Sequence, residues 1–285
     1  MLERDGYPAG VPCWVDIEGP DPEAAMRFYS GLFGWEFDDS TPPGSSGRYF
    51  VARLRGAAVA GVGSPGKGEP SAPAWNTYVR VEDADAAAAE MAGAGGRVLT
   101  GPYEIPGAGR AAVCADPAGA LFRIWEPKGH EGAERVNEPD TWNMSELTTH
   151  DPEAAKAFYG AVFGWEADPV DFGAETSTMW RLPGYGGFTE DYEPDIRSRQ
   201  WEEGVPPGFE DAVGWMVRMP GDVSGEEGPR WSVTFAVGDV DAVAERAARI
   251  GGGVETAPFD VGDNVRLAVL RDPLGAVFAV NRWRS

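Results

Sequence analysis

A long internal repeat constrains this chain more than any other feature. Asp21-Pro22-Glu23-Ala24-Ala25, Phe28-Tyr29 and Phe33-Gly34-Trp35-Glu36 return 130 residues later as Asp151-Pro152-Glu153-Ala154-Ala155, Phe158-Tyr159 and Phe163-Gly164-Trp165-Glu166. A second block, Val81, Asp83, Gly95, Thr100, Pro102, Arg110, Asp116, Pro117 and Gly119, recurs at an offset of 156 as Val237, Asp239, Gly251, Thr256, Pro258, Arg266, Asp272, Pro273 and Gly275. Two blocks repeated in the same order identify a duplicated supersecondary plan. The difference between the offsets places 26 extra residues in the second half, at about 185–229, as an insertion rather than a third domain.

Each half reads as short strands alternating with helices of about three turns. Residues 12–18 alternate as a strand; Asp21 is an N-cap, Pro22 takes the first helical position, and Gly34 ends the helix. Strands near Trp35–Phe37, at Tyr49–Leu54 and at Ala57–Ala60 complete a βαβββ order. From Trp75 the order repeats: strand 75–81, helix Asp85–Ala94, strands 97–99 and 110–115, an Asp116-Pro117-Ala118-Gly119 turn and strand 120–126. The chain is therefore four βαβββ modules, of α+β class.

The FY…GLFGW helix block, the VxDxD start of the second helix and the DPxG turn before the last strand resemble the vicinal oxygen chelate superfamily of glyoxalases, bleomycin-resistance proteins and extradiol dioxygenases. The resemblance covers the chain apart from the insertion and the segment 129–140. It implies two glyoxalase-like, cup-shaped mixed sheets of eight strands, each holding a small-molecule ligand. The expected domains are 1–128 and 141–285, with the polar segment 129–140 as linker.

Metal-using members of that superfamily place His, Glu or Gln ligands on the first strand of each module and a Glu on the closing strand. Carried over through the repeat, those positions hold Trp14, Asn76 and Arg123 in one half and Met144, Ser232 and Ala279 in the other. These are not ligands for a hard or borderline divalent ion. The two histidines, His130 in the linker and His150 before a helix N-cap, are expected at the surface. No cofactor is expected.

Period-two alternation directs Trp14, Asp16, Asn76, Tyr78, Arg123 and Trp125 into the first cup, an aromatic set with one acid and one base. The second should present Met144, Glu146, Ser232, Thr234 and Asn281, a more polar wall. Trp35 and Trp165 follow helices and are expected in the core; Trp75 and Trp231 plug a cup or line it. Arg123 and Arg53 are candidates to pair with Asp16. The insertion carries Trp201, Trp215, Met216 and Met219; its Gly214–Arg218 stretch reads as an added strand, and its Pro206-Pro207-Gly208 turn as part of a lid or a cover on a sheet edge.

Composition narrows the function classes. The formal net charge of -22, from 46 acidic and 24 basic side chains, disfavours nucleic acid and anionic membrane surfaces as partners. The N-terminal stretch has no signal-like apolar run, no segment is long enough to span a bilayer, and Cys13 and Cys114 form no paired motif, so a cytoplasmic protein with two buried, reduced thiols is expected. Three functions remain open. The first is a metal-independent protein that binds an aromatic metabolite or antibiotic. The second is a metal-independent lyase, isomerase or cyclase with Glu146 or Asp16 as general base. The third is a divergent metal-dependent glyoxalase or dioxygenase. The chain is expected to act as a monomer or homodimer.

Overall fold

The computed structural model describes residues 3–65, 72–171, 176–202, 205–219 and 228–283, with the side chains of Thr176, Trp201 and Glu202 outside that description. The first half runs β1 (Pro12–Glu18), α1 (Pro22–Phe33), β2 (Glu36–Asp39), β3 (Tyr49–Leu54), β4 (Ala57–Gly63), β5 (Ala74–Arg80), α2 (Ala84–Gly93), β6 (Arg97–Ile105), β7 (Gly109–Ala115) and β8 (Leu121–Pro127). The second runs β9 (Trp142–Thr149), α3 (Pro152–Phe163), β10 (Glu166–Asp171), β11 (Thr176–Arg181), α4 (Tyr185–Tyr192), α5 (Ile196–Glu202), β12 (Ala212–Arg218), β13 (Arg230–Ala236), α6 (Val240–Arg249), β14 (Gly253–Val261), β15 (Val265–Arg271) and β16 (Val277–Trp283). The four modules form two eight-stranded mixed sheets, ordered β2-β3-β4-β1-β5-β8-β7-β6 and β10-β11-β12-β9-β13-β16-β15-β14.

Local chemistry sets the helix ends. The Asp21 carboxylate accepts from the Ala24 N–H at 2.9 Å and Asp151 from Ala154 at 3.0 Å, in each case ahead of a proline that lacks the N–H a first helical turn would leave unpaired. Gly34 and Gly164 close the two helices in the left-handed conformation, at φ 73° and 71°.

The insertion occupies a narrower stretch than 185–229. β12 pairs parallel with β9 and antiparallel with β11, which is the place β4 holds between β1 and β3. The Gly214–Arg218 stretch is therefore the module's own closing strand and not an addition. The extra length lies between β11 and β12, where the first half has only the Arg55-Gly56 turn, and it carries α4, α5 and a single 3-10 turn at Phe209–Asp211.

The chain condenses into two compact units, and neither is a sequence half. One comprises Met1–Cys13, Thr77–Gly132 and Ser145–Trp231; the other comprises Trp14–Asn76, Ala133–Met144 and Ser232–Ser285. In the second, Phe28 packs edge-on against Phe278 and the Tyr29 hydroxyl donates to Asp272 at 3.3 Å. In the first, Phe158 meets Phe122 edge-on and the Tyr159 hydroxyl donates to Asp116 at 3.3 Å. The helix of each half is thus locked onto the DPxG turn of the other. Trp75 and Trp231 complete these cores by donating to the Tyr29 and Tyr159 hydroxyls, so both are core residues. Trp35 and Trp165 are buried as expected, bonded to the Asp140 and Gly10 carbonyls.

The segment 129–140 is packed rather than a free linker. Ala133 and Val136 are buried, Glu134 accepts from the Ala58 N–H, and the Asp140 carbonyl is the partner of Trp35. Cys13 and Cys114 are buried free thiols; burial alone pushes Cys114 up to about 12, so it is inert as a nucleophile at neutral pH. Among the described residues no helix is long and apolar enough to cross a membrane.

Candidate functional site

In the unit holding β1, β3 and β4, three expected residues converge with one that sequence reasoning missed. Asp16 pairs in register with Gly61, and Tyr49 with Gly63, two residues further along the same strand. A Cβ on Gly61 would lie 2.1 Å from the Tyr49 hydroxyl and 2.9 Å from the Asp16 Cβ, so the bare backbone there is what lets the phenol cross the strand. Tyr49 donates to Asp16 Oδ2 at 3.2 Å, and its oxygen accepts from Trp14 Nε1 at 2.8 Å. Asn76 Nδ2 donates to Asp16 Oδ1 at 2.8 Å. Asp16 is fully buried, and these neutral donors help meet the cost of desolvating a carboxylate. The legible signal was the alternate spacing of Gly61 and Gly63 beside a strand that begins with Tyr49.

The other unit gathers Tyr78, Arg123 and Trp125. β5 and β8 run parallel with Tyr78 opposite Arg123. Arg123 Nη1 donates to the Tyr78 hydroxyl at 2.7 Å, and the guanidinium carbon lies 5.3 Å from the centre of that ring. Trp125 meets Tyr78 edge-on at 6.3 Å, lies over Gly109 and donates from Nε1 to the His130 carbonyl at 2.8 Å. His130 is half-buried with its ring 6.0 Å from that of Trp125, so it is no surface histidine; His150 is exposed as expected. Arg53 pairs with Asp38 at 2.5 Å on the β2–β3 hairpin, and Arg181 repeats this with Asp168. Neither is a site group.

The second half divides differently. Glu146 is half-buried and in register with Trp215 on the parallel strand β12. In the other unit, Met144, Ser232 and Thr234 are half-buried, and Asn281 accepts from Asn143 Nδ2 at 3.1 Å, a partner outside the expected phase.

Comparison with known proteins decides the lineage. A family model described as the glyoxalase/bleomycin resistance protein/dioxygenase superfamily matches residues 14–124, and a glyoxalase-like domain model matches 144–281. A protein named "putative glyoxylase CFP32" from Mycobacterium tuberculosis is 38% identical, the match covering 98% of this chain and 97% of that one. The chain belongs to the glyoxalase/bleomycin resistance protein/dioxygenase superfamily. Another member, the anthracycline biosynthesis protein DnrV of Streptomyces peucetius, is 35% identical across 98% of this chain and 95% of its own. The Mn(II)-bound glyoxalase from Novosphingobium aromaticivorans shares the fold, with a TM-score of 0.59 at 16% identity, covering 99% of this chain and 83% of that one.

Some members of this superfamily hold a metal, as the Mn(II)-bound glyoxalase does. Trp14, Asn76 and Arg123 offer an indole N–H committed to Tyr49, an amide committed to Asp16 and a cation; Met144, Ser232 and Ala279 offer a thioether, a hydroxyl and a methyl. Among the described residues, no three His, Cys, Asp or Glu side chains gather closely enough to hold an ion. The residues present do not fit a divalent metal at the superfamily positions.

Proposed function

We propose that this chain binds a planar, polycyclic aromatic small molecule without the help of a metal ion. The observation that carries the reading is that the superfamily metal-ligand positions hold Trp14 and Asn76, committed to Tyr49 and Asp16, and the Arg123 cation, none of them a ligand for a divalent ion. Aromatic walls with a few oriented polar groups are the ordinary make-up of a small-molecule site. The kinship with an anthracycline biosynthesis protein supports a polycyclic ligand, anthracyclines being polycyclic aromatics.

Titrating the hydroxyanthraquinone quinizarin against tryptophan fluorescence, with chelator and then with added Mn(II), Fe(II), Ni(II) or Zn(II), tests this. Saturable binding indifferent to metal, with the compound recovered unchanged, is expected. Binding or turnover that requires stoichiometric metal would refute it.

A proton-transfer enzyme is the second reading, and one observation directs it to Glu146. Asp16 is fully buried with both carboxylate oxygens engaged by Tyr49 and Asn76, whereas Glu146 is half-buried. On this reading Glu146→Gln abolishes turnover and keeps binding; on the binding-protein reading the compound is never converted by either protein.

A further inference from the structure

Comparing the neighbours of the two carboxylates at equivalent positions, each within its own unit, exposes an exchange of large and small side chains. On the first sheet, Asp16 is in register with Gly61, and Gly61 with Val51; Tyr49, two residues before Val51, lays its phenol across Gly61 and donates to Asp16. On the second sheet, Glu146 is in register with Trp215, and Trp215 with Met179; two residues before Met179 stands Ser177. The bulky aromatic has moved from the outer strand to the middle one. The strand that delivers a phenol to Asp16 delivers only a small hydroxyl near Glu146.

Registered partners on neighbouring strands point to the same face of a sheet, so Trp215 and Glu146 project from one face as neighbours. Both are half-buried, as are Thr148 and Ser177. Phe209, from the 3-10 turn at the end of the insertion, stands beside Trp215 with ring centres 6.1 Å apart and planes inclined at 39°. The extra 26 residues thereby supply an aromatic wall where the first half has only the Arg55-Gly56 turn.

We infer that the phenol which Asp16 receives from Tyr49 is supplied to Glu146 by the ligand: a planar phenolic compound lies against Trp215 and Phe209 and donates a ring hydroxyl to the Glu146 carboxylate. An ionised carboxylate accepts several hydrogen bonds, so a ligand hydroxyl adds to the bonding Glu146 already has within the fold. The aromatic–indole contact supplies the area term and the charge-assisted O–H···O bond fixes orientation. Asp16, closed over by the chain's own tyrosine, is the structural counterpart of this site and not a second copy of it. The inference rests on the reading of the chain as an aromatic-binding protein and assigns that function to one unit.

Hydrogen exchange of the full chain with and without quinizarin locates the ligand, and direct titration of variants weighs it. Slowed exchange across residues 145–148 and 209–218 is expected. Trp215→Ala should weaken binding at least tenfold and Trp215→Phe should restore most of it, and Ser177→Tyr, which places the first-half phenol in the site, should weaken binding comparably. Protection confined to 14–18 and 49–63, or equal in both sets, overturns the assignment while leaving the binding function standing. So does wild-type affinity in Trp215→Ala. If wild-type protein binds no quinizarin at all, the underlying function and the assignment fall together. Exchange mapping needs no substitution, so the outcome does not depend on every variant folding.

Discussion

Thr77 and Ser145 are buried and share a 2.7 Å hydrogen bond, while the repeat-equivalent positions, Val233 and Val15, are buried valines. The same place in the fold thus accepts either a satisfied polar pair or an apolar one. Changing Thr77 or Ser145 singly to valine leaves a buried hydroxyl without its partner and should cost about 1–3 kcal/mol. The double variant Thr77→Val/Ser145→Val should come within about 1 kcal/mol of wild type, because replacing both partners removes the orphan. Denaturant unfolding of the four proteins in a double-mutant cycle checks this, and additive losses would contradict it.

Asp116 and Asp272 offer a pH test at the same scale. Burial is the largest influence on both carboxyls and raises them above the usual carboxylate range, against the backbone N–H and tyrosine donors that pull the other way. A carboxyl bound to its proton more tightly in the folded state contributes stability at pH below the unfolded value, and that contribution is lost as pH rises through the folded value. Asp116→Asn keeps an oxygen for the Gly119 and Ala120 N–H groups and cannot titrate. Its stability relative to wild type should therefore rise with pH across the window from the ordinary carboxylate range to the raised value. Asp116→Ala should lose about 2 kcal/mol or more near neutrality through the unsatisfied amides. Parallel pH profiles for wild type and Asp116→Asn would count against this account.

At the scale of elements, the repeated motifs are docking surfaces. A Cβ on Gly96 would sit 2.5 Å from Phe158 Cε2 and 3.0 Å from the Ala115 carbonyl; on Gly252 it would sit 2.7 Å from Phe28 Cε2 and 2.6 Å from the Arg271 carbonyl. Neither glycine can carry a side chain without pushing back a helix, so Gly96→Ala and Gly252→Ala should each cost about 1–3 kcal/mol, as overpacking does. The insertion is anchored by a different device. Arg4 is buried, donates to the Tyr185 hydroxyl at 2.6 Å and lies over the rings of Tyr7 and Tyr192. Arg4→Ala should speed amide exchange in α4 while leaving α3 unchanged; equal loosening of both would show that Arg4 supports the whole unit rather than the insertion.

At the scale of the whole molecule, each compact unit draws segments from both halves. The halves 1–132 and 133–285, expressed separately, should be poorly folded or self-associated and should combine into one stable equimolar complex when mixed, as size exclusion and circular dichroism would show. Two independently stable halves would contradict the interlocked packing.

Much of this was legible in the chain. Each element leaves a local mark: an N-capping aspartate before a proline, a glycine where the helix ends, alternation along a strand. These marks, read twice, gave the βαβββ order and the four modules, and the DPxG and FY strings could be counted off residue by residue. The candidate residues were legible in part. Alternation put Trp14, Asp16 and Asn76 on one face, where hydrogen bonds join them through Tyr49 and Asp16, and Tyr78 and Arg123 likewise, but it did not find Tyr49, whose contact with Asp16 depends on two glycines on a neighbouring strand that pattern alone reads as small and apolar. His130 was misjudged because the segment 129–140, read as a polar linker, is folded back, with the His130 ring 6.0 Å from that of Trp125.

What the sequence determined by itself was the set of elements and their duplication, since capping, periodicity and turn chemistry act over a few residues. What only the tertiary structure decided was the pairing between distant parts: that Tyr29 meets Asp272 and Tyr159 meets Asp116, that Ala212–Arg218 is the module's own strand, and that Asp16 is met by a tyrosine where Glu146 stands beside a tryptophan. Those contacts are between residues far apart in the chain, and their energy depends on which side chains meet across strands, a quantity no local pattern encodes.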